Sequence, residues 1–398
     1  MSVINVAICV DGLGENWLGG VNYFRNLIAV FDAAVDPALR LHLLTDDPGF
    51  LGDMRLSPRI QVHRLAMLKR NSASWAVRKA LQVATGRDLQ LIEFLKKLDV
   101  RAVVFSYVAG ASAAGIRCLP WIPDFQFKHH PELSQPEVAA AEQRRAEKLL
   151  RDGDGLVVSS QAAAQDAINF FSALPARLHV LRFAPRVDFQ PLQDTSLRDR
   201  VFVNHGIKRP YVFLPNQYWQ HKNHGLVTHA LTLLRQQGGA APLVVSTGKT
   251  ADARNPAHFQ RFATDLQRSG LGEAYRILGV IPRQDMLVLL AHSLAVLNPS
   301  RFEGWSSTVE EAKALGKPLL VSDIPVHREQ IAGRIAAQVF GVDDAAALAL
   351  LLADLHKRHA QADVAAFPPQ PDNALYLTFQ QEYMALLRRV AAPHGALA

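Results

Sequence analysis

Short apolar runs alternate with stretches in which apolar residues recur every three or four positions, and the alternation continues along nearly the whole chain. Short runs bounded by turn residues read as buried strands, and the longer periodic stretches as amphipathic helices. In the first half this predicts strands at 3–10, 41–44, 102–105, 117–122, 155–158 and 178–182, with helices at 21–35, 88–98, 136–151 and 160–171. The stretch 184–209 is rich in turn residues and has little periodicity. A second alternation starts at Tyr211, with strands at 211–214, 242–246, 275–278, 293–297, 318–321 and 337–340. Its helices fall at 223–237, 255–268, 283–291, 307–315, 326–332 and 344–359. Pro368, Pro369 and Pro371 break the chain before a last amphipathic helix at 373–391. Such alternation implies parallel sheets covered by helices. The expected class is α/β: two Rossmann-like, doubly wound domains at 1–185 and 186–370, a terminal segment at 371–398, and a ligand cleft between the domains.

Composition narrows the class. With 398 residues the chain is too long for one ordinary domain, and 49% hydrophobic with 20% charged residues is typical of a globular protein with ample core. No apolar run approaches the roughly 18 residues needed to span a bilayer. The first strand lacks a basic start and meets Asp11 too soon to be a secretory signal. Cys9 and Cys118 stand alone in apolar surroundings, without metal spacing, so the cytoplasm is the expected compartment.

The net charge of +7 is unevenly spread. Residues 54–87 hold Arg55, Arg59, Arg64, Lys69, Arg70, Arg78, Lys79 and Arg87 and no acidic side chain. Such a patch attracts anionic lipid, a phosphorylated acceptor or nucleic acid. It reads equally as a solvated face that aids solubility. Trp75 among the charges favours a membrane surface, which would make the protein peripheral at the inner face of the cell membrane. No stacking platform or recognition motif supports nucleic acid.

The chemistry concentrates in Pro299–Ala312, where Glu303 and Glu311 stand eight positions apart after an apolar strand and a helix begins between them. Open α/β sheets bind ligands beyond the carboxyl ends of their strands, where the N–H groups of the next helix face anions. Two carboxylates there suit two hydroxyl-bearing parts of one ligand, with a diphosphate between them at the helix start. That describes a nucleotide-sugar, with Arg301, Gly304, Trp305, Ser306, Ser307 and Thr308 as further donor contacts. Asn216 and Gln217 begin a polar, aromatic loop after the strand 211–214, in which Lys222 is placed to offset charge on a departing diphosphate. Asp124, Lys128, His129 and His130 follow the strand 117–122 and suit acceptor contact or proton handling.

Other motifs weigh less. Gly12-x-Gly14-x-x-Trp17 fails the dinucleotide fingerprint, which argues against a dehydrogenase. Gly19 and Gly20 before the first helix suit close approach of a phosphate to the backbone, or a plain flexible turn. Ser246–Thr250 imitates the end of a P-loop, but Leu243 stands where the motif needs glycine. Gly248 there reads as a strand end lining the cleft. Asp152-Gly153-Asp154 lies at the amino end of a strand and reads as a turn, so no metal is expected.

These residues resemble the retaining glycosyltransferases of family 4, which have the GT-B fold. The similarity is strongest over 293–329, through Asn298-Pro299-Ser300, Phe302-Glu303-Gly304, Glu311-Ala312, Gly316-Lys317-Pro318, Ser322-Asp323-Ile324-Pro325 and Arg328-Glu329. It is weaker at Gly19-Gly20, Ser159-Ser160, Asp166, Gly279 and Asp285. The resemblance implies that Glu303 lies near the transferred sugar, that Glu311 takes the ribose hydroxyls and that Lys222 binds phosphate. The family usually carries arginine five residues before that lysine; here the residue is Gln217, and Arg301 is a candidate replacement. The loops 121–126 and 216–224 look like the branch found in bacterial surface-polysaccharide pathways. The final helix is expected to cross back onto the first domain.

The expected activity is metal-independent transfer of a hexose from a nucleoside diphosphate sugar to a saccharide or lipid-linked acceptor, without a further cofactor. The departing phosphate would take the acceptor proton. The alternatives are a nucleotide-sugar epimerase of the same fold and a non-catalytic binding protein.

Overall fold

The computed structural model describes residues 3–10, 18–252, 254–334, 336–359, 361–363 and 367–392. The chain divides into two units. Met1–Phe125, Glu137–Arg186 and Tyr376–Ala398 form the first, and Gln126–Pro136 with Val187–Leu375 the second.

The first unit is built on β1 (Ile4–Val10), β2 (Leu39–Thr45), β3 (Ile60–Arg64), β4 (Val100–Phe105), β5 (Arg117–Ile122), β6 (Leu156–Val158) and β7 (Leu178–Val180). These strands pair in the order β3-β2-β1-β4-β5-β6-β7, all in parallel. Val6, Ala7, Ile8, Leu41, Leu43, Val103 and Val104 are wholly buried, as expected for strands covered on both faces. The last helix, Ala374–Ala391, packs within this unit from Tyr376 onward. Phe379 meets Phe183, Tyr383 meets Phe105, and Arg388 pairs with Asp36 at 2.7 Å.

The second unit carries β8 (Tyr211–Leu214), β9 (Leu243–Ser246), β10 (Tyr275–Ile277), β11 (Ala295–Asn298), β12 (Leu319–Ser322) and β13 (Ala337–Phe340). Their order is β10-β9-β8-β11-β12-β13, again all parallel. Chain order therefore reverses between β8 and β11, which is the switch point where doubly wound sheets open a crevice. Two parallel Rossmann-like sheets with helices between their strands are the predicted fold class.

Several elements depart from the sequence expectation, among them three that lie in stretches read as irregular or featureless. β3 and the helix Ala73–Thr85 both fall in the basic segment, where no element was predicted. The stretch expected to be irregular contains the helix Thr195–His205. Asp194 starts it by accepting from Ser196 N at 2.8 Å, and Gly206 ends it in the left-handed region at φ +66°. Only Leu197, Val201 and Phe202 face the core along its length, too few to show as a period.

Candidate active site

At the switch point the loops leaving β8, β9 and β11 are locked together by side chains whose charges and amides are buried. Asn298 ends β11. Its amide lies 3.0 Å from Asn216 Nδ2, in the loop after β8, and donates to Ser306 Oγ at 2.7 Å. Ser306 is the N-cap of the helix Ser307–Ala314 and accepts from Val309 N at 3.3 Å. Thr308 turns its hydroxyl back to Pro215 O and Asn216 Oδ1, each at 3.4 Å. Gln330 completes the lock, donating to Ser306 O and to Glu310 Oε1, both at 2.9 Å. Gly248, at φ +147°, lies so close to the β8 loop that a Cβ would meet Asn216 O at 2.5 Å and Gln217 Cα at 2.7 Å. Only glycine fits there.

Lys222 and Glu303 meet inside this frame. Lys222 Nζ donates to Glu303 Oε1 at 2.6 Å, and their side chains are 14% and 9% exposed. Ser300 Oγ donates to the same carboxylate oxygen at 2.6 Å and lies 2.7 Å from the Asn298 amide. Burial by itself would favour the neutral acid. The Lys222 ammonium and the hydrogen bonds from Lys222 and Ser300 outweigh it and hold the Glu303 carboxyl below its usual range. Lys222 is reached through a short turn ending at Asn223, which is left-handed at φ +57°. The turn is pinned by the buried His224, which stacks on Tyr218 at 4.1 Å and contacts Tyr275 Oη at 2.9 Å and Gln217 O at 3.2 Å. Burial drives the His224 pKa down to about 3, so the ring is neutral.

The second carboxylate has a different partner. Glu311 is the fifth residue of Ser307–Ala314, is buried, and pairs with Arg283, the first residue of the helix Arg283–Ala291. Ser307 is exposed and Thr308 buried in the first turn, whose N–H groups have no acceptor within the helix. Gly304 is buried, and Trp305 lies 5.9 Å from the Lys313 ammonium.

The remaining expected residues are distributed as follows. Arg301 points its guanidinium at Asp343, while its N–H donates to His221 O at 2.7 Å. Gln217, where the resemblance leads one to expect arginine, keeps a buried Oε1 without a hydrogen-bond partner among the described residues. Lys128, His129 and His130 belong to the second unit although they follow β5. The rings of His129 and His130 lie 5.2 and 5.9 Å from that of Phe302, the neighbour of Glu303. His130 Nδ1 is 2.9 Å from Glu132, and Gln126 accepts from Arg254 at 3.1 Å. Asp124 is half-buried in the first unit. Gly19 and Gly20 lie in the first turn of the helix Leu18–Ala33, which begins earlier than predicted, so they are helical and do not precede the helix. Gly12, Gly14 and Trp17 lie outside the described residues. Asp152 and Asp154 are held by protein groups: Asp152 by Lys148 at 2.6 Å and Tyr107 at 3.0 Å, Asp154 by Ser112 at 2.6 Å and Cys118 N at 2.7 Å.

Arg283, Gln330, Ser322 and His327 carried no role in the sequence reading. Their significance is tertiary: each is distant in sequence from the carboxylate or loop it supports. Arg283 had one visible signal, a cation opening a helix just after a strand of the second sheet.

Comparison with known proteins bears on the family match and the fold. Residues 198–365 match the family described as glycosyl transferases group 1. No curated protein sequence matches the chain. Among solved structures, a glycosyltransferase from Rickettsia africae is similar with a TM-score of 0.66 at 13% identity, over 98% of this chain and 99% of that one. HepE of Anabaena in complex with UDP and glucose gives 0.65 at 14% identity, over 97% and 95%. WaaG, a glycosyltransferase involved in lipopolysaccharide biosynthesis, gives 0.61 at 13% identity, over 98% and 100%. At such identity these likenesses speak for the fold, which is GT-B. The segment that bears Lys222, Glu303 and Glu311 thus matches the glycosyl transferases group 1 family, in a chain with the fold of the GT-B glycosyltransferases.

Proposed function

We propose that the chain is a retaining, metal-independent hexosyltransferase that takes a nucleoside diphosphate sugar as donor. Its acceptor is a hydroxyl of a saccharide or lipid-linked molecule in surface-polysaccharide or lipopolysaccharide synthesis. The observation that carries the reading is the Lys222–Glu303 pair, nearly buried at the sheet's switch point beside the first turn of Ser307–Ala314.

Breaking the glycosyl–phosphate bond leaves positive character on the sugar and negative charge on the departing diphosphate. An ammonium has three donors, so Lys222 can keep one on Glu303 and turn two toward phosphate oxygens. The amides of Ser307 and Thr308 add the positive end of a helix. Together they stabilise charge that develops in the transition state. Glu303, ionised and held by Ser300, orients the sugar and stabilises its positive character. The acceptor oxygen bonds to the anomeric carbon on the face the phosphate leaves, and its proton passes to a phosphate oxygen. Configuration is therefore retained and no second carboxylate is required. Glu311 takes the ribose hydroxyls, and His129 and His130, against Phe302, serve the acceptor side.

The ligands of the Anabaena protein, UDP and glucose, make UDP-sugars the first donors to test. The helix Ala73–Thr85 adds a peripheral contact with an anionic membrane surface, where a lipid-linked acceptor would reside. The test is a thermal-shift screen of nucleoside diphosphates and their sugars, followed by product analysis. Ligands that bind the native state raise its unfolding temperature. The reading expects a shift with at least one nucleoside diphosphate and its sugar, and transfer to an added acceptor. No shift with any of them overturns it. Conversion of the donor without any acceptor would make the protein an epimerase instead.

A further inference from the structure

His327 lies in the helix Pro325–Ile331, which follows β12, and none of its surface is exposed. Its Nδ1 is 2.9 Å from Ser322 O and 3.1 Å from Ser322 Oγ. A carbonyl only accepts, so Nδ1 bears the proton. Nε2 is then a bare acceptor, and it has no hydrogen-bond partner among the described residues. Burial keeps the ring below the usual histidine range, hence neutral at pH 7, against the pull of the Glu303 carboxylate toward protonation.

The contacts of Ser322 give this arrangement a direction. Its hydroxyl donates to Ser300 O, and both serines are wholly buried. Ser300 in turn donates its own hydroxyl to Glu303 Oε1 at 2.6 Å, the oxygen that also accepts from Lys222. A continuous path therefore runs from His327 through the end of β12 to the turn after β11, and ends on the carboxylate. A histidine needed only to fill space would be replaceable by an apolar side chain, and burying an imidazole with one orphaned nitrogen is unfavourable.

We infer that His327 is a positioning residue, which fixes Ser322, and through it the Ser300 turn, so that Glu303 keeps its orientation beside Lys222. The inference rests on Glu303 working at the transferred sugar. Groups that hold a catalytic side chain from behind commonly account for about 10–100-fold in activity, as partners behind metal ligands do.

The experiment compares His327→Asn, His327→Gln, His327→Ala, Ser322→Ala and the Ser322→Ala/His327→Ala double variant. An asparagine amide places N–H where Nδ1 lies, whereas a glutamine amide reaches the Nε2 position. His327→Ala is expected to lower kcat by about 10–100-fold with the donor KM within about threefold. His327→Asn restores most of kcat and His327→Gln does not. Ser322→Ala resembles His327→Ala, and the double variant is no worse than the poorer single one, as residues acting in series require. Equal loss or equal retention in the Asn and Gln variants overturns the inference, as does a loss confined to KM or an additive double variant. If the alanine variants do not fold, the Asn and Gln pair decides. If the wild-type protein transfers no sugar, the proposed function fails, but the positioning role is still read from the carbon-13 NMR titration of Glu303. An upward shift of its pKa in the His327→Gln variant but not in His327→Asn supports positioning; no difference between the two overturns it.

Discussion

Replacing Lys222 by methionine removes the ammonium 2.6 Å from Glu303 and keeps most of the side chain's bulk. Burial is the largest influence on the Glu303 carboxyl and raises its pKa; the charge and hydrogen bond of Lys222 are chief among the influences that lower it. In the wild-type protein the ionised form, which the proposed reaction uses, persists until pH falls through a depressed pKa. In Lys222→Met the opposing influence is gone and the pKa rises, so the acid limb of residual kcat/KM moves to higher pH. An acid limb that does not move would show that Lys222 does not set the state of Glu303. At this scale much of the site was legible. Glu303 and Lys222 sit in the loops after strands whose apolar runs are plain in the sequence, and Glu311 in the helix that follows one of them. The residues that orient them were not, because Ser322, Gln330 and Arg283 act across 20 to 28 positions and leave no local pattern.

Gly248 shows what one element demands of its neighbour. It leaves β9 at a left-handed φ, against the backbone that leaves β8. Gly248→Ala forces the Asn216–Gln217 segment aside and disturbs the Asn216–Asn298 contact, while the sheet beneath is untouched. The expected outcome is a donor KM raised about tenfold or more with a stability loss of about 1–3 kcal/mol, read by steady-state kinetics and denaturant unfolding. An unchanged KM would mean that the β8 loop does not shape the donor site. Elements with a buried apolar face were readable from the chain, many of them to within two residues at each end. The helix Ala73–Thr85 was not, because Val77, Leu81 and Val83 are exposed and the side chain it buries is Arg78. Arg78 reaches under the helix to Asp88, with guanidinium contacts of 2.6 to 3.0 Å. A helix anchored by an ion pair shows no hydrophobic period. The adjacent β3 is a five-residue edge strand whose burial alternates, which weakens its signal too.

For the molecule as a whole, the basic segment resolves into two populations. Arg78 is buried on Asp88, and Arg59 donates to the carbonyls of Phe31, Asp32 and Asp36, so both are structural. Arg55, Lys69, Arg70 and Arg87 are exposed, alongside Val77, Leu81 and Val83, the last with 86% of its surface free. Exposed aliphatic residues on a helix without acidic neighbours suit the boundary of an anionic bilayer. Liposomes containing anionic lipid should retain the protein at low salt and release it as salt rises, with Lys69→Glu/Arg70→Glu lowering retention. Equal retention by neutral liposomes would contradict the assignment. No helix among the described residues is long and apolar enough to cross a membrane. Domain number and the parallel character of both sheets were legible because β–α alternation recurs throughout. The inclusion of Gln126–Pro136 in the second unit was not, since nothing local distinguishes that segment from the unit its neighbours belong to.

The central claim, that Glu303 acts on the sugar of a bound nucleotide donor, is tested most directly by Glu303→Gln, which removes the charge and preserves the shape. With a donor identified by thermal shift, nucleoside diphosphate affinity is measured by calorimetry and the transfer rate under saturating donor. The account predicts a rate lower by about 10²–10³ with nucleotide affinity within a few-fold of wild type. A Glu303→Gln protein that transfers sugar at the wild-type rate would contradict it.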